Sequence, residues 1–488
     1  MSLQPLAIPQ DGRHLDDRLF GVDDVFLIPA WDRYLIYSPI TKAIVLASSE
    51  ELHQLRSMGA EGFLGILGLQ RIIAQSEAAT DTVPQIEQSS GQWKPTHVTF
   101  SNTQKCTLRC RYCYADGGRL DDAVIPKPIV DAALSLIVSN AAASDQQPSI
   151  NFLGEGEATA DWKSFTYILE TFRQKCREIG KQGHVSLSTN GVFSNRLISY
   201  LVDNVDTIVF SLDGISSSHN KNRVLPSGSG SFEKIIENLR EFDRLEKRYG
   251  IRCTATETAT SGLPDFVEWI GLNLRTKEIH VEPVFDNSGV AKTAEPVEEP
   301  PSLAFVQQYR KARQVAAKYG IELYYSSADL KFKTGFCGVT NANNFIVTSK
   351  GIVTSCNEVL RSDDIRSTAF QYGRWNSEEN NFEIDLGAVQ KLRKVNVTNI
   401  SKCTNCFAKF NCAGDCYAKT HAQHGDIFSP KYTSRCEVTR ELTRDNLLLE
   451  ILKDQLDNLS DQAIQQSESG TATHENTRVG ALYAEGIE

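Results

Sequence analysis

Residues 97–118 read HVTFSNTQKCTLRCRYCYADGG, a short strand-like run leading directly into three cysteines, Cys106, Cys110 and Cys113, spaced C-x3-C-x2-C. The run HVTFSN is rich in β-branched and aromatic residues, so the cysteines fall on a loop at a strand end. Thiolates hold iron–sulfur clusters, and four of them saturate a cubane. Three in one short loop, with no histidine or cysteine close enough on either side to act as a fourth, leave one iron open to a ligand from outside the protein. A structural zinc site is instead closed by four donors.

That strand is the first of a series. HVTFSN, SINFLG, HVSLSTN, TIVFSLD, RCTATET and EIHVEPV alternate with helical patterns such as FEKIIENLREFDRLEKRY. Alternation of this kind implies βα units and a parallel sheet, flat or curved into a partial barrel, here over 93–300. In such sheets functional residues gather where strands end and loops begin. A Glu- and Pro-rich stretch, TAEPVEEPPS, marks the end of this region. Residues 301–334 read as a bridging helix region, 335–440 as a loop-rich domain with seven cysteines, and 441–460 as a C-terminal helix. The polar segment 461–488 is expected to be disordered. On the other side, 76–92 reads as a linker. Residues 1–75 read as a small α+β module of three β-rich runs and a helix.

Tyr112, placed before the last cysteine of KCTLRCRYCYADGG, and three further motifs in order make residues 95–290 resemble the radical S-adenosylmethionine (SAM) enzymes. Their fold is a partial (β/α)6 TIM-like barrel, so the resemblance implies the α/β class. FLGEGEAT at 152–159 is similar to the family's GGE motif, which implies that Gly156 and Glu157 take the amino group of SAM. It departs from that motif at Ala158, where proline is usual, and at Glu155, where glycine is common. LSTNG at 187–191 implies Ser188 and Asn190 beside the cofactor. FSLDGISSSHNKNR at 210–223 implies Ser211 and Arg223 as partners of the methionyl carboxylate, a role that suits the planar guanidinium fork. The resemblance implies one catalytic [4Fe-4S] cluster whose open iron chelates SAM. One electron, from a donor such as flavodoxin or ferredoxin, then cleaves the sulfonium to a 5′-deoxyadenosyl radical. Which residue would act as acid or base is not named by any motif.

The remaining spaced cysteines run Cys337-x13-Gly351-x4-Cys356, then Cys403-x2-Cys406-x5-Cys412-x3-Cys416, then Cys436. This resembles the seven-cysteine SPASM domain, which holds two auxiliary iron–sulfur clusters. The resemblance assigns Cys403, Cys406, Cys412 and Cys436 to a fully ligated distal cluster. It assigns Cys337, Cys356 and Cys416 to a proximal one, for which the upstream stretch DLKFKTGF offers no fourth cysteine. Cys176 and Cys253 stand alone in helix and strand patterns and read as buried packing.

Twelve cysteines in a chain that opens without a basic, apolar export signal are expected in the reducing cytoplasm, where metal and catalytic roles outnumber disulfides. A formal charge of −10 argues against nucleic acid, and no apolar run approaches a membrane span. SPASM-type members act chiefly on peptides or proteins, and the N-terminal module is similar to peptide-recognition modules that add a leader peptide as an extra strand. The expected function is therefore maturation of a ribosomally made precursor peptide, ending in an intramolecular crosslink. The alternatives are formylglycine generation on a sulfatase and a non-catalytic electron-transfer protein. Sulfatase-maturating enzymes carry an aspartate base after the second proximal cysteine, whereas this chain has Asn357. An electron-transfer protein would not need the SAM motifs.

Overall fold

The computed structural model describes residues 3–6, 8, 15–19, 24–57, 92–340 and 344–468. The expected linker at 76–92 therefore lies outside the described residues except for its last position, as do residues 58–75 and 469–488.

Strands β1 (Phe26–Ala30), β2 (Arg33–Ser38) and β3 (Ala43–Ser48) form an antiparallel three-stranded sheet followed by the helix Ser49–Ser57. The β1–β2 face carries Phe26, Ile28, Ala30, Leu35 and Tyr37, and it packs on Phe407, Ala408, Leu447 and Leu448. Each such apolar side chain contributes about 1.5–3 kcal/mol when fully buried. The small sheet is therefore held by the last cysteine segment and the last helix. Tyr37 donates to Asn411 Oδ1 at 3.1 Å, and Asp24 pairs with Lys409, which ties the same junction with polar contacts.

The barrel strands are β4 (His97–Phe100), β5 (Ser149–Phe152), β6 (His184–Thr189), β7 (Thr207–Ser211), β8 (Gly250–Ala255) and β9 (Glu278–Pro283), all parallel to their neighbours. Alternation decides their two faces. In β6, Val185 and Leu187 are buried while Ser186 and Ser188 are half-buried on the opposite side. The connecting helices show the complementary pattern. Phe232–Arg244 buries Phe232, Ile235, Ile236, Leu239 and Phe242 at helical spacing, and Phe242 meets Phe210 of β7 edge to face.

The cysteine-rich segment is not a separate loop domain. Strand β11 (Phe345–Val347) pairs in parallel with β4, and β12 (Ile352–Thr354), β13 (Gln371–Asn376) and β14 (Asn381–Ile384) continue antiparallel from it. At the other edge the region read as bridging contributes β10 (Glu322–Tyr324) beside β9. One 11-stranded sheet results. The sequence conceals β10, β11 and β12 because three residues are too few to show a period. The final helix, Ser434–Glu468, begins inside the cysteine region and runs beyond residue 460. Among the described residues no helix is long and apolar enough to cross a membrane.

Candidate iron–sulfur and cofactor site

The loop bearing Cys106, Cys110 and Cys113 leaves the end of β4 and is held by backbone. Arg109 N donates to Val224 O at 2.7 Å and Arg111 N to Asn222 O at 3.0 Å, which seats the loop on the segment after β7. Glu157 N donates to Lys105 O at 2.9 Å. Gly156 is required there, since a Cβ would sit 2.2 Å from Lys105 O and 2.7 Å from Thr103 O, both backbone atoms.

The three sulfurs sit close enough for each one's charge to bear on Cys106, and donors surround them. Gly117 N lies 3.4 Å from Cys113 Sγ, Asn190 Nδ2 3.7 Å from Cys106 Sγ, and Arg223 Nη1 3.9 Å from Cys110 Sγ. Burial pushes the Cys106 thiol well above its usual range and the Cys110 thiol up to about 11. A bound metal reverses that preference, because its charge favours the thiolate. Converging thiols ringed by donors fit an iron–sulfur cluster.

The other residues implied by resemblance lie around this loop. Glu157 is buried, and Oε1 accepts from Thr189 Oγ1 at 2.9 Å and Thr159 Oγ1 at 2.8 Å while Oε2 accepts from Asn190 N at 2.7 Å. Desolvation raises its pKa despite these donors. Its carboxylate thus knits the ends of β5 and β6, with acceptor capacity left at Oε2 for one further donor. Asn190 also donates to Thr107 Oγ1 at 3.1 Å on the cysteine loop. Ser188 and Ser211 are half-buried, and the register sets Ser188 opposite Val209 and Ser211 opposite Arg252.

Glu155, the departure from the family motif, has a structural task. Its carboxylate accepts from Ser101 Oγ at 2.9 Å, Gln104 Nε2 at 2.7 Å and Ser349 N at 2.9 Å. It therefore joins the barrel, the cysteine loop and the C-terminal region, a contact glycine could not make.

Tyr112 and Arg223 meet through a residue the sequence reading passed over. Tyr112 donates its phenol to Asp213, whose Oδ2 also accepts from Arg223 Nε at 2.8 Å and whose Oδ1 accepts from Thr254 N at 2.9 Å. The guanidinium lies 5.4 Å from the Tyr112 ring centroid. Asp213 stands within FSLDG, so the motif contained it. Its job could not be read because Tyr112 is a hundred residues away in sequence.

The four cysteines assigned to a distal cluster, Cys403, Cys406, Cys412 and Cys436, line one cavity together with Leu15 and Arg440. No group of three or more His, Cys, Asp or Glu side chains among the described residues is placed to hold a single metal ion. Four thiols are the donor set that an iron–sulfur cluster takes. Arg440 approaches Cys406 Sγ at 3.7 Å and is itself held by Asp17, which reaches over from the N-terminal segment. Asp17 is a second residue that no motif disclosed.

Cys337, Cys356 and Cys416 form the remaining set. Burial, then the neighbouring Glu358 carboxylate, raises the thiols of Cys356 and Cys416, the latter up to about 12. Cys176 and Cys253 lie in the barrel core, 2% and 0% exposed.

Residues 101–263 match the radical SAM superfamily, and this chain carries a radical SAM domain. Over 187 residues it is 25% identical to an S-adenosylmethionine-dependent nucleotide dehydratase of Psychrobacter lutiphocae, covering 36% of this chain and 60% of that relative. The chain thus spans less than two thirds of that relative's length. In fold it is similar to anSMEcpe with bound AdoMet, at a TM-score of 0.57 and 16% identity, covering 75% of this chain and 97% of that one. It is also similar in fold to Streptococcus suis SuiB bound to S-adenosylmethionine, at a TM-score of 0.52 and 13% identity, covering 85% of this chain and 99% of that one. SuiB bound to its precursor peptide SuiA gives 0.51. The particular fold is therefore the one that this chain shares with anSMEcpe and SuiB.

Proposed function

We propose that this protein is a cytoplasmic radical SAM enzyme that modifies a ribosomally made precursor peptide, joining two of its residues by an intramolecular crosslink. The observation that carries the reading is the co-occurrence of two arrangements. One is a three-thiol loop beside the residues that the motifs assign to SAM, and the other is a pair of further thiol sets in the segment that follows the barrel, part of which extends the barrel sheet.

When bound, the catalytic cluster and SAM supply a 5′-deoxyadenosyl radical that takes a hydrogen atom from the substrate. Cys106, Cys110 and Cys113 hold the cluster. Gly156 lets the β5 loop come against the cysteine loop, and Glu157, Ser188, Asn190, Ser211 and Arg223 orient the methionyl group. A crosslink removes two hydrogens from the peptide, one as the abstracted atom, so a proton to solvent and an electron must also leave the substrate. The thiol sets at Cys337, Cys356 and Cys416 and at Cys403, Cys406, Cys412 and Cys436 fit two auxiliary clusters that would accept it, while flavodoxin or ferredoxin would reduce the catalytic one. The N-terminal sheet supports recruitment of the peptide, since β3 has a strand partner on one side only among the described residues.

Formylglycine generation is the second reading, favoured by the similarity in fold to anSMEcpe. Asn357 stands against it, because a neutral amide cannot accept the proton that an aspartate base would.

The test is anaerobic incubation of the reconstituted protein with reductant, SAM and a short peptide encoded beside its gene. The expected product is a peptide lighter by two hydrogens in which fragmentation finds two residues joined. An aldehyde trapped by a hydrazide would establish formylglycine instead. Production of 5′-deoxyadenosine by the protein with all three of Cys106, Cys110 and Cys113 replaced by alanine would overturn both.

A further inference from the structure

Cys337, Cys356 and Cys416 offer three thiols to a cluster with four irons, and residues 329–336 contain no cysteine. We propose that the carboxylate of Glu358 closes the proximal auxiliary cluster as its fourth, non-thiolate ligand. The inference rests on the reading of those three cysteines as a cluster site.

Glu358 is placed by the turn that follows β12. Its N–H lies 3.5 Å from Cys356 Sγ, and its carbonyl accepts from Arg366 Nη2 at 2.9 Å, so its backbone is fixed beside a thiol. Its Oε2 is buried and accepts no hydrogen bond. A buried anionic oxygen without a donor is costly, and a metal is among the few partners that relieve it. The Glu358 carboxylate charge raises the thiols of Cys356 and Cys416, second only to burial, and that of Cys337.

Other claims on this carboxylate are weaker. Arg366, fully buried, stands 3.8 Å from Oε2 without a hydrogen bond. Its charge is already met by Asp364, through Nε to Oδ1 at 2.9 Å and Nη2 to Oδ2 at 2.8 Å. Asn357 Oδ1 is also buried and unpartnered, but a neutral amide is a poorer iron ligand than a carboxylate. Glu358 also lines a cavity with Gln104 and Tyr114 of the cysteine loop and with Arg361. Replacing thiolates by weaker donors raises a cluster's potential, which suits an electron acceptor.

The experiment is Mössbauer and potentiometric EPR spectroscopy of the full-length protein reconstituted with 57Fe. Wild type is expected to show one iron distinct from its tetrathiolate neighbours in the proximal cluster. Glu358→Cys should abolish that component and lower the midpoint potential. With saturating SAM present to occupy the open iron of the catalytic cluster, Glu358→Ala should open the position, so that added cyanide changes the EPR signal of this variant and not of wild type. Glu358→Gln serves should either variant misfold, and it should shift the same component. If Glu358 is only a second counter-ion to Arg366, the variants lower the unfolding midpoint and leave the distinct component and the cyanide response as in wild type, which overturns the proposal. Replacement of Cys337, Cys356 and Cys416 together by alanine separates the two failures. Unchanged iron content would overturn the cluster reading, whereas lost iron with silent Glu358 variants would overturn the ligand assignment alone.

Discussion

Arg223 donates through Nε to Asp213 Oδ2 at 2.8 Å, with both residues buried, so the guanidinium proposed to hold SAM is fixed from behind by a carboxylate. The bond uses Nε, and the terminal Nη1 is turned toward Cys110 Sγ at 3.9 Å, on the side of the cysteine loop. Lysine keeps the charge but can satisfy only one of these directions at a time. Arg223→Lys is expected to weaken SAM binding about tenfold or more, the equivalent of one charge-assisted hydrogen bond of about 1.5–3 kcal/mol. Equilibrium dialysis with labelled SAM on the reconstituted protein checks it, and an unchanged affinity would leave Arg223 as a structural ion pair.

Gly156 is the second point where chemistry depends on close approach. A methyl group at 2.2 Å from Lys105 O must push the segment leading into Cys106, because the obstacle is backbone rather than a flexible side chain. Gly156→Ala is expected to lose the catalytic cluster's iron and all 5′-deoxyadenosine production. Overpacking of this kind destabilises by about 1–3 kcal/mol, so the chain should still fold. Iron analysis beside a thermal melt checks both halves.

The N-terminal module cannot be deleted without disturbing the distal thiols. Asp17 accepts from Arg440 Nη2 at 3.0 Å and from Phe407 N at 3.1 Å, and Arg440 reaches Cys406 Sγ at 3.7 Å. Removing one partner of a buried pair costs about 3–5 kcal/mol, since the other charge is left uncompensated. Asp17→Ala is expected to lower the unfolding midpoint and to speed iron release to a chelator, with SAM cleavage at the catalytic loop retained. A point change on the outer strand, Val45→Asp, tests recruitment instead. Val45 is 36% exposed on β3, and the expected result is weaker precursor-peptide binding by fluorescence anisotropy with iron content unchanged.

The barrel was legible in the sequence because each strand is followed by a loop and a helix of different period, and the cysteine loop because spacing is local. Asp213, Asp17 and Glu358 were not legible. Each acts on a residue brought near by the fold, and an acidic residue in a row of ordinary letters carries no spacing signal. The sheet continuity of β4 with β11 was hidden for a related reason. Phe345, Ile346 and Val347 are all buried, as parallel strands covered on both faces are, and three apolar residues show no alternation.

His219 makes the fold at the SAM segment sensitive to acid. It is fully buried, its Nδ1 accepts from Asp213 N at 3.1 Å, and its Nε2 lies 3.0 Å from Ser231 Oγ. Burial pushes its pKa down to about 4, with the Asp213 carboxylate opposing that and the Arg223 cation adding to it. In the unfolded chain the imidazole titrates near about 6.5. Between those values the unfolded state binds the extra proton, so stability falls as pH falls through the window and is fully present above it. For wild type relative to His219→Gln, the expected additional loss on going from about pH 7 to 5.5 is about 1 kcal/mol. Denaturant unfolding of both proteins at the two pH values measures it. Parallel pH dependence in the two would mean that His219 takes up its proton as readily in the folded as in the unfolded state, and hence that the Asp213 N–H is not its partner.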